Sequence, residues 1–106
     1  AEPILPVPYD FDQSGLVSAP YAQPSQHFRI RSVRTRVYRG RCANNDLLPG
    51  SLQLFRDKRD AIYALIDDQP GIESKTRDGL VRYIDDFYKR INSPKAVRRR
   101  LSGRCL

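Results

Sequence analysis

The chain has 106 residues, 40% of them hydrophobic and 9% aromatic, with two cysteines, one histidine, and no methionine or tryptophan. That is enough for one small domain, and no run approaches the ~20 apolar residues that a membrane-crossing helix needs. The formal net charge is +7, and fifteen of the nineteen basic residues are arginine, so anionic partners are favoured: nucleic acid, an anionic membrane face or an acidic protein surface. A GC-rich coding sequence would also raise the arginine content.

The charge is segregated. Residues 1–25 carry −3, residues 26–45 carry +6 with no acid, residues 46–92 carry −1, and residues 93–106 carry +5. Two basic blocks therefore flank a nearly neutral middle.

The chain opens Ala1-Glu2-Pro3. These residues suit the position just after a small-residue cleavage site, which implies a processed precursor that is exported or imported into an organelle. Trimming of an initiator methionine would also leave Ala1.

Residues 1–25 read as an extended, proline-rich arm, because Pro3, Pro6, Pro8, Pro20 and Pro24 forbid a long helix. Yet Tyr9, Phe11 and Tyr21 are aromatic, and several aliphatic residues accompany them. Such an arm either lies in a partner's groove or wraps its own domain, and proline lowers the cost of ordering it.

Residues 26–106 then form the domain. Residues 26–41 are the strand candidate. Phe28 and Ile30 alternate with Arg29 and Arg31, and after a slip at Ser32-Val33 the apolar Val33 and Val37 alternate with Arg34 and Arg36. A bulge or a short turn at the slip would restore one apolar face. With Arg39, the segment makes a basic ladder for acidic groups on a partner. It needs pairing with a second strand, the arm or another chain.

Turn residues fill 40–50, and Ser51 reads as an N-cap. A first helix follows over 52–66, with Leu52, Phe55, Ile62, Leu65 and Ile66 on one stripe and Tyr63 at its edge. Gln69-Pro70-Gly71 ends it. A second helix spans 74–92, with Leu80, Ile84, Phe87 and Ile91 repeating at helical spacing and Val81 and Tyr88 widening the stripe. Ser93 caps a short third helix over 94–101, Pro94 opens it, and Gly103 closes it. The fold class is mainly α: a small antiparallel helical domain preceded by an arm and one or two β-strands.

Chemistry is sparse. His27 has no second histidine or cysteine at ligand spacing, so no metal site is expected. No nucleophile motif or poised carboxylate pair is visible, and neither an enzyme, a cofactor nor a small-molecule substrate is expected. Asp86 and Arg90 stand four apart and suit a helix-surface pair. Arg98, Arg99 and Arg100 cover most of a helical turn and suit phosphate or carboxylate binding, or a solvated basic tail. Cys42 and Cys105 would pair in an oxidising compartment and stay free in a reducing one; the export reading favours the pair.

The arm, the helix around Lys58-Arg59-Asp60-Ala61-Ile62, the break at Gln69-Pro70-Gly71 and the run from Arg82 to Arg90 resemble, together, the small lumenal extrinsic proteins of photosystem II. That resemblance implies a helical bundle behind a proline-rich arm, docked on a photosynthetic membrane complex in the thylakoid lumen. It carries over no functional residue, and the arginine strand has no counterpart in it. Three functions follow as expectations. The first is a non-catalytic subunit docking on a larger complex with an acidic surface, peripheral to a membrane. The second is an RNA-binding subunit of an organellar ribosome, and the third a secreted or periplasmic binding module.

Overall fold

A computed structural model describes residues 3–8 and 10–106. The chain divides into two compact units, Ala1–Arg36 and Val37–Leu106.

The second unit is helical. A 3-10 segment, Cys42–Leu47, leads into α1 (Leu48–Asp57), α2 (Arg59–Asp68), α3 (Ser74–Ile91) and α4 (Pro94–Arg100), and a 3-10 turn, Ser102–Arg104, ends it. The predicted first helix is two helices. Lys58 leaves the helical region (φ −93°, ψ 2°) and separates α1 from α2. α1 also begins earlier than Ser51, which lies within it. Pro49 falls in its first turn, where a missing N–H costs nothing, and Leu48 packs on the core.

Pro70 and Gly71 turn the chain from α2 to α3. Gly71 has φ +80°, the third-position geometry of a type II turn. α4 starts as its sequence predicts, the Ser93 hydroxyl accepting from the Ala96 N–H at 3.2 Å. Gly103 acts differently from a simple cap: a Cβ there would lie 2.3 Å from the Arg98 carbonyl oxygen, so only glycine lets the chain fold back over α4.

The core is thin. Leu52, Tyr88 and Ile91 are buried, and Leu48, Tyr63, Ile84, Phe87, Val97 and Leu101 pack around them. Phe87 stands edge-on to Phe55 and to Tyr88, each pair with ring centroids 5.2 Å apart. The Tyr88 hydroxyl donates to the Phe55 carbonyl at 2.7 Å, in the last turn of α1 where carbonyls lack helical partners. Arg56 does the same for α3, donating to the Ile91 carbonyl at 2.6 Å and to Asn92 Oδ1 at 2.9 Å.

Cys42 and Cys105 form a disulfide across 63 residues of chain. Beside it the Cys42 N–H donates to the Leu106 carbonyl at 2.9 Å and the Leu106 N–H donates to the Gly40 carbonyl at 2.8 Å. The chain end is thereby held to residues 40–42 by two backbone bonds and one covalent bond.

The predicted β-strands are not formed: the described residues contain no strand. Over 26–41 serine turns take the place of a ladder. Ser25 and Ser32 accept the N–H groups of His27 and Arg34 on their hydroxyls, at 3.2 Å and 3.1 Å. Their carbonyls accept from Phe28 and Thr35. Such local bonds compete directly with inter-strand pairing. The same device recurs at Ser14, whose hydroxyl accepts from the Leu16 N–H at 3.0 Å. The first unit is therefore a string of tight turns, with Asp10 and Ser18 in the left-handed region. Ser32-Val33, where the alternation slips, is one of those turns.

Candidate functional site

The most distinctive surface of the helical unit is the end closed by the disulfide. α4 presents Val97 to the core, with Leu101 one turn on. Between these two anchors Arg98, Arg99 and Arg100 follow at 100° steps and fill the outward side, and all three are exposed. They occupy the last turn of the helix, where unbonded carbonyls favour cations. The chain then turns through Gly103, and Arg104 sits next to Cys105. Across the disulfide, Arg41 lies between the two backbone bonds that hold Leu106. Asn45 packs over the bridge, its Nδ2 3.5 Å from Cys105 Sγ.

Five arginines (Arg41, Arg98, Arg99, Arg100 and Arg104) are exposed on these segments, and none makes a side-chain hydrogen bond or ion pair among the described residues. Residues 93–106 hold no acid, and Asp46 is the sole acid in residues 37–56. The end is thus a concentration of uncompensated guanidinium groups on a covalently closed frame. Each offers a planar fork for carboxylate or phosphate.

Of the arginines singled out from sequence, Arg39, Arg98, Arg99 and Arg100 belong to this unit, whereas Arg29, Arg31, Arg34 and Arg36 belong to the first. Arg29 and Arg31 are exposed, and Arg34 and Arg36 are half-buried. Phe11 and Tyr21, the expected arm anchors, expose 59% and 63% of their surface. The Tyr21 hydroxyl donates to Asp12 at 3.3 Å, and the Asp12 charge holds its pKa above the ordinary value. Tyr9 lies outside the described residues. Arg41 and Arg104 were not singled out. Their adjacency to the two cysteines was the available signal, because a bridge brings its flanking residues together.

A second polar cluster lies on α2 and α3. Arg59 stacks over the rings of Tyr63 and Tyr88, its guanidinium carbon 4.9 Å and 5.6 Å from their centroids. The Tyr63 hydroxyl donates to Asp85. Burial first, and then this bond to a carboxylate, push the Tyr63 pKa up to about 12. With Lys89 and Asn92 these residues border an open depression of about 540 Å³. Arg59, Tyr63, Tyr88 and Asp85 are paired among themselves, as a structural network would be. The surface pair expected from sequence is present as well, Arg90 Nε lying 3.1 Å from Asp86 Oδ2.

Among the described residues no group of three or more His, Cys, Asp or Glu side chains could hold a metal ion, and no helix is long and apolar enough to cross a membrane. No protein-family model, curated protein or solved structure matches this chain.

Proposed function

We propose that this protein is a non-catalytic binding subunit that docks, through its disulfide-closed basic end, on an acidic surface of a larger protein complex. One observation supports the reading above all: five exposed arginines without intramolecular carboxylate partners gather on segments locked together by Cys42–Cys105. A rigid frame lowers the entropy cost of presenting them. A protein surface is favoured over RNA because α4 and the turn after it hold no aromatic ring on which a base could stack. A disulfide-bonded subunit suits an oxidising compartment, such as a lumen or periplasm. Docking on a photosynthetic membrane complex is the specific form of this reading that the sequence resemblance suggests.

The test compares the wild-type chain with the variant Arg98→Glu/Arg99→Glu/Arg100→Glu as bait in an extract of the native source. The wild type retrieves a large complex that raised salt releases and nuclease does not. The variant, melting as the wild type does, retrieves none of it. Equal retrieval by the variant sinks the proposal, and release by nuclease transfers the arginines to the RNA reading.

A further inference from the structure

α1 and α2 have two apolar faces, and the core uses one. Leu48, Leu52 and Tyr63 turn inward. Leu54, Phe55, Ala61, Ile62 and Leu65, with Lys58 at the bend, instead surround an open concavity of about 420 Å³. Leu54 and Leu65 expose 58% and 70% of their surface, and Phe55 45% although its ring also meets Phe87. Exposed apolar groups gathered around one concavity, rather than scattered singly, mark a binding groove.

The walls say what shape fits it. Leu54 and Phe55 stand near the end of α1 and Ala61, Ile62 and Leu65 on α2, so two short helices meeting at Lys58 border the groove. A groove bordered by helices takes the apolar stripe of another helix.

Charge says what chemistry fits it. Lys58 is the sole charged residue lining the groove, and it makes no ion pair among the described residues. Closing an apolar interface over an unpaired ammonium is costly, whereas an opposing carboxylate relieves that cost. A second copy packed two-fold about the bend would set lysine against lysine on chains of net charge +7. The complement is an acidic helix.

We propose that the α1–α2 groove binds an amphipathic helix of an acidic protein partner, whose apolar stripe carries one central Asp or Glu opposite Lys58. The proposal rests on the reading of an acidic partner but places a second contact on a different surface from Arg98–Arg100.

The probes are two fluorescein-labelled helical peptides of about 18 residues with the same leucine stripe and equal net charge. One carries glutamate and the other lysine at the central stripe position. Binding to the full chain is followed by anisotropy. The glutamate peptide should bind about tenfold more tightly, and Lys58→Glu should invert that preference. Leu65→Asp should weaken binding at least about tenfold, and the milder Leu65→Ser serves if the aspartate variant melts early. Equal affinity for both peptides, no binding of either, or indifference to both Leu65 variants overturns the proposal. So does a dimer in sedimentation that Leu65→Asp dissolves, which assigns the groove to a second copy. The Arg98→Glu/Arg99→Glu/Arg100→Glu variant should bind the glutamate peptide as the wild type does. Loss in that variant alone means that the arginine end took the peptide, which overturns the groove and leaves the basic-end reading standing. Peptide binding as expected, together with unchanged retrieval of the native complex by that triple variant, removes the basic-end reading and leaves the groove.

Discussion

Residues 37–106 and residues 1–36 satisfy their backbones in opposite ways. The helical unit does so through repeating helical bonds, and it ties its ends with a disulfide and side chains such as Arg56 and Tyr88 that reach across to orphan carbonyls. The first unit does so turn by turn, on the hydroxyls of Ser14, Ser25 and Ser32. Long-range bonds of the first kind make unfolding cooperative, while bonds spanning two or three residues break one at a time. The helical unit should therefore hold nearly all of the chain's measurable stability, which suits a rigid presenter of arginines. The first unit exposes Ile4, Leu5 and Val7 at 99%, 74% and 80%, surface that a folded core does not use.

Three measurements break or sharpen that contrast. The largest effect is expected from the disulfide. Closing a loop of this length is worth about 4 kcal/mol in the chain-entropy account, so Cys42→Ser/Cys105→Ser should lower helical unfolding stability by about that amount. Urea titration followed by circular dichroism reads it. Coincident curves for variant and wild type would mean that the thin core alone holds the unit, and the contrast would lose its main cause.

A smaller loss is expected from Tyr88→Phe, which keeps the ring but leaves the Phe55 carbonyl without its donor. About 1–2 kcal/mol should be lost. Ser32→Ala, which removes one turn bond in the first unit, should leave the same transition unmoved. Equal losses in the two variants would show that the units are not energetically distinct.

The smallest effect concerns pH. The Tyr63 pKa is raised in the folded protein, to about 12 from an ordinary value of 10.0. The folded state thus holds this proton more tightly than the unfolded chain does. The resulting stabilisation is complete below pH 10 and is lost as pH rises through 12. Alkaline titration of tyrosine absorbance should show a late step that Tyr63→Phe removes. Tyr63 is half-buried, so solvent softens the effect. An ordinary tyrosine titration at this position would mean that the Tyr63–Asp85 bond does not hold α2 to α3.

Much of the helical unit was legible in the sequence. The stripe of Ile84, Phe87 and Ile91, the stop at Asn92, and the Ser93-Pro94 restart predict α3 and α4 nearly to the residue, because helix bonds, caps and proline effects all act within a few positions. The basic-end arginines were legible as charge. Their meeting at the disulfide was legible only as a preference for pairing, since two cysteines can also remain apart.

Three features depended on contacts distant in sequence. The alternation of Phe28, Ile30, Val33 and Val37 describes a strand's side chains but cannot supply a second strand, and without one the hydroxyls of Ser25 and Ser32 hold the backbone in turns. Leu52, Phe55, Ile62 and Leu65 read as one inward stripe. The break at Lys58 divides it, sending Leu52 into the core and Leu65 to the surface while Tyr63 takes the inner position. The neighbourhood of Arg41 and Arg104 exists because residues 63 apart are bonded at sulfur. Composition and local periodicity thus determined where helices form and how charge is distributed along the chain. Which faces remain uncovered, and which arginines share a surface, were decided by long-range packing and one covalent bond, because those energies reside in pairs of residues that no local window contains.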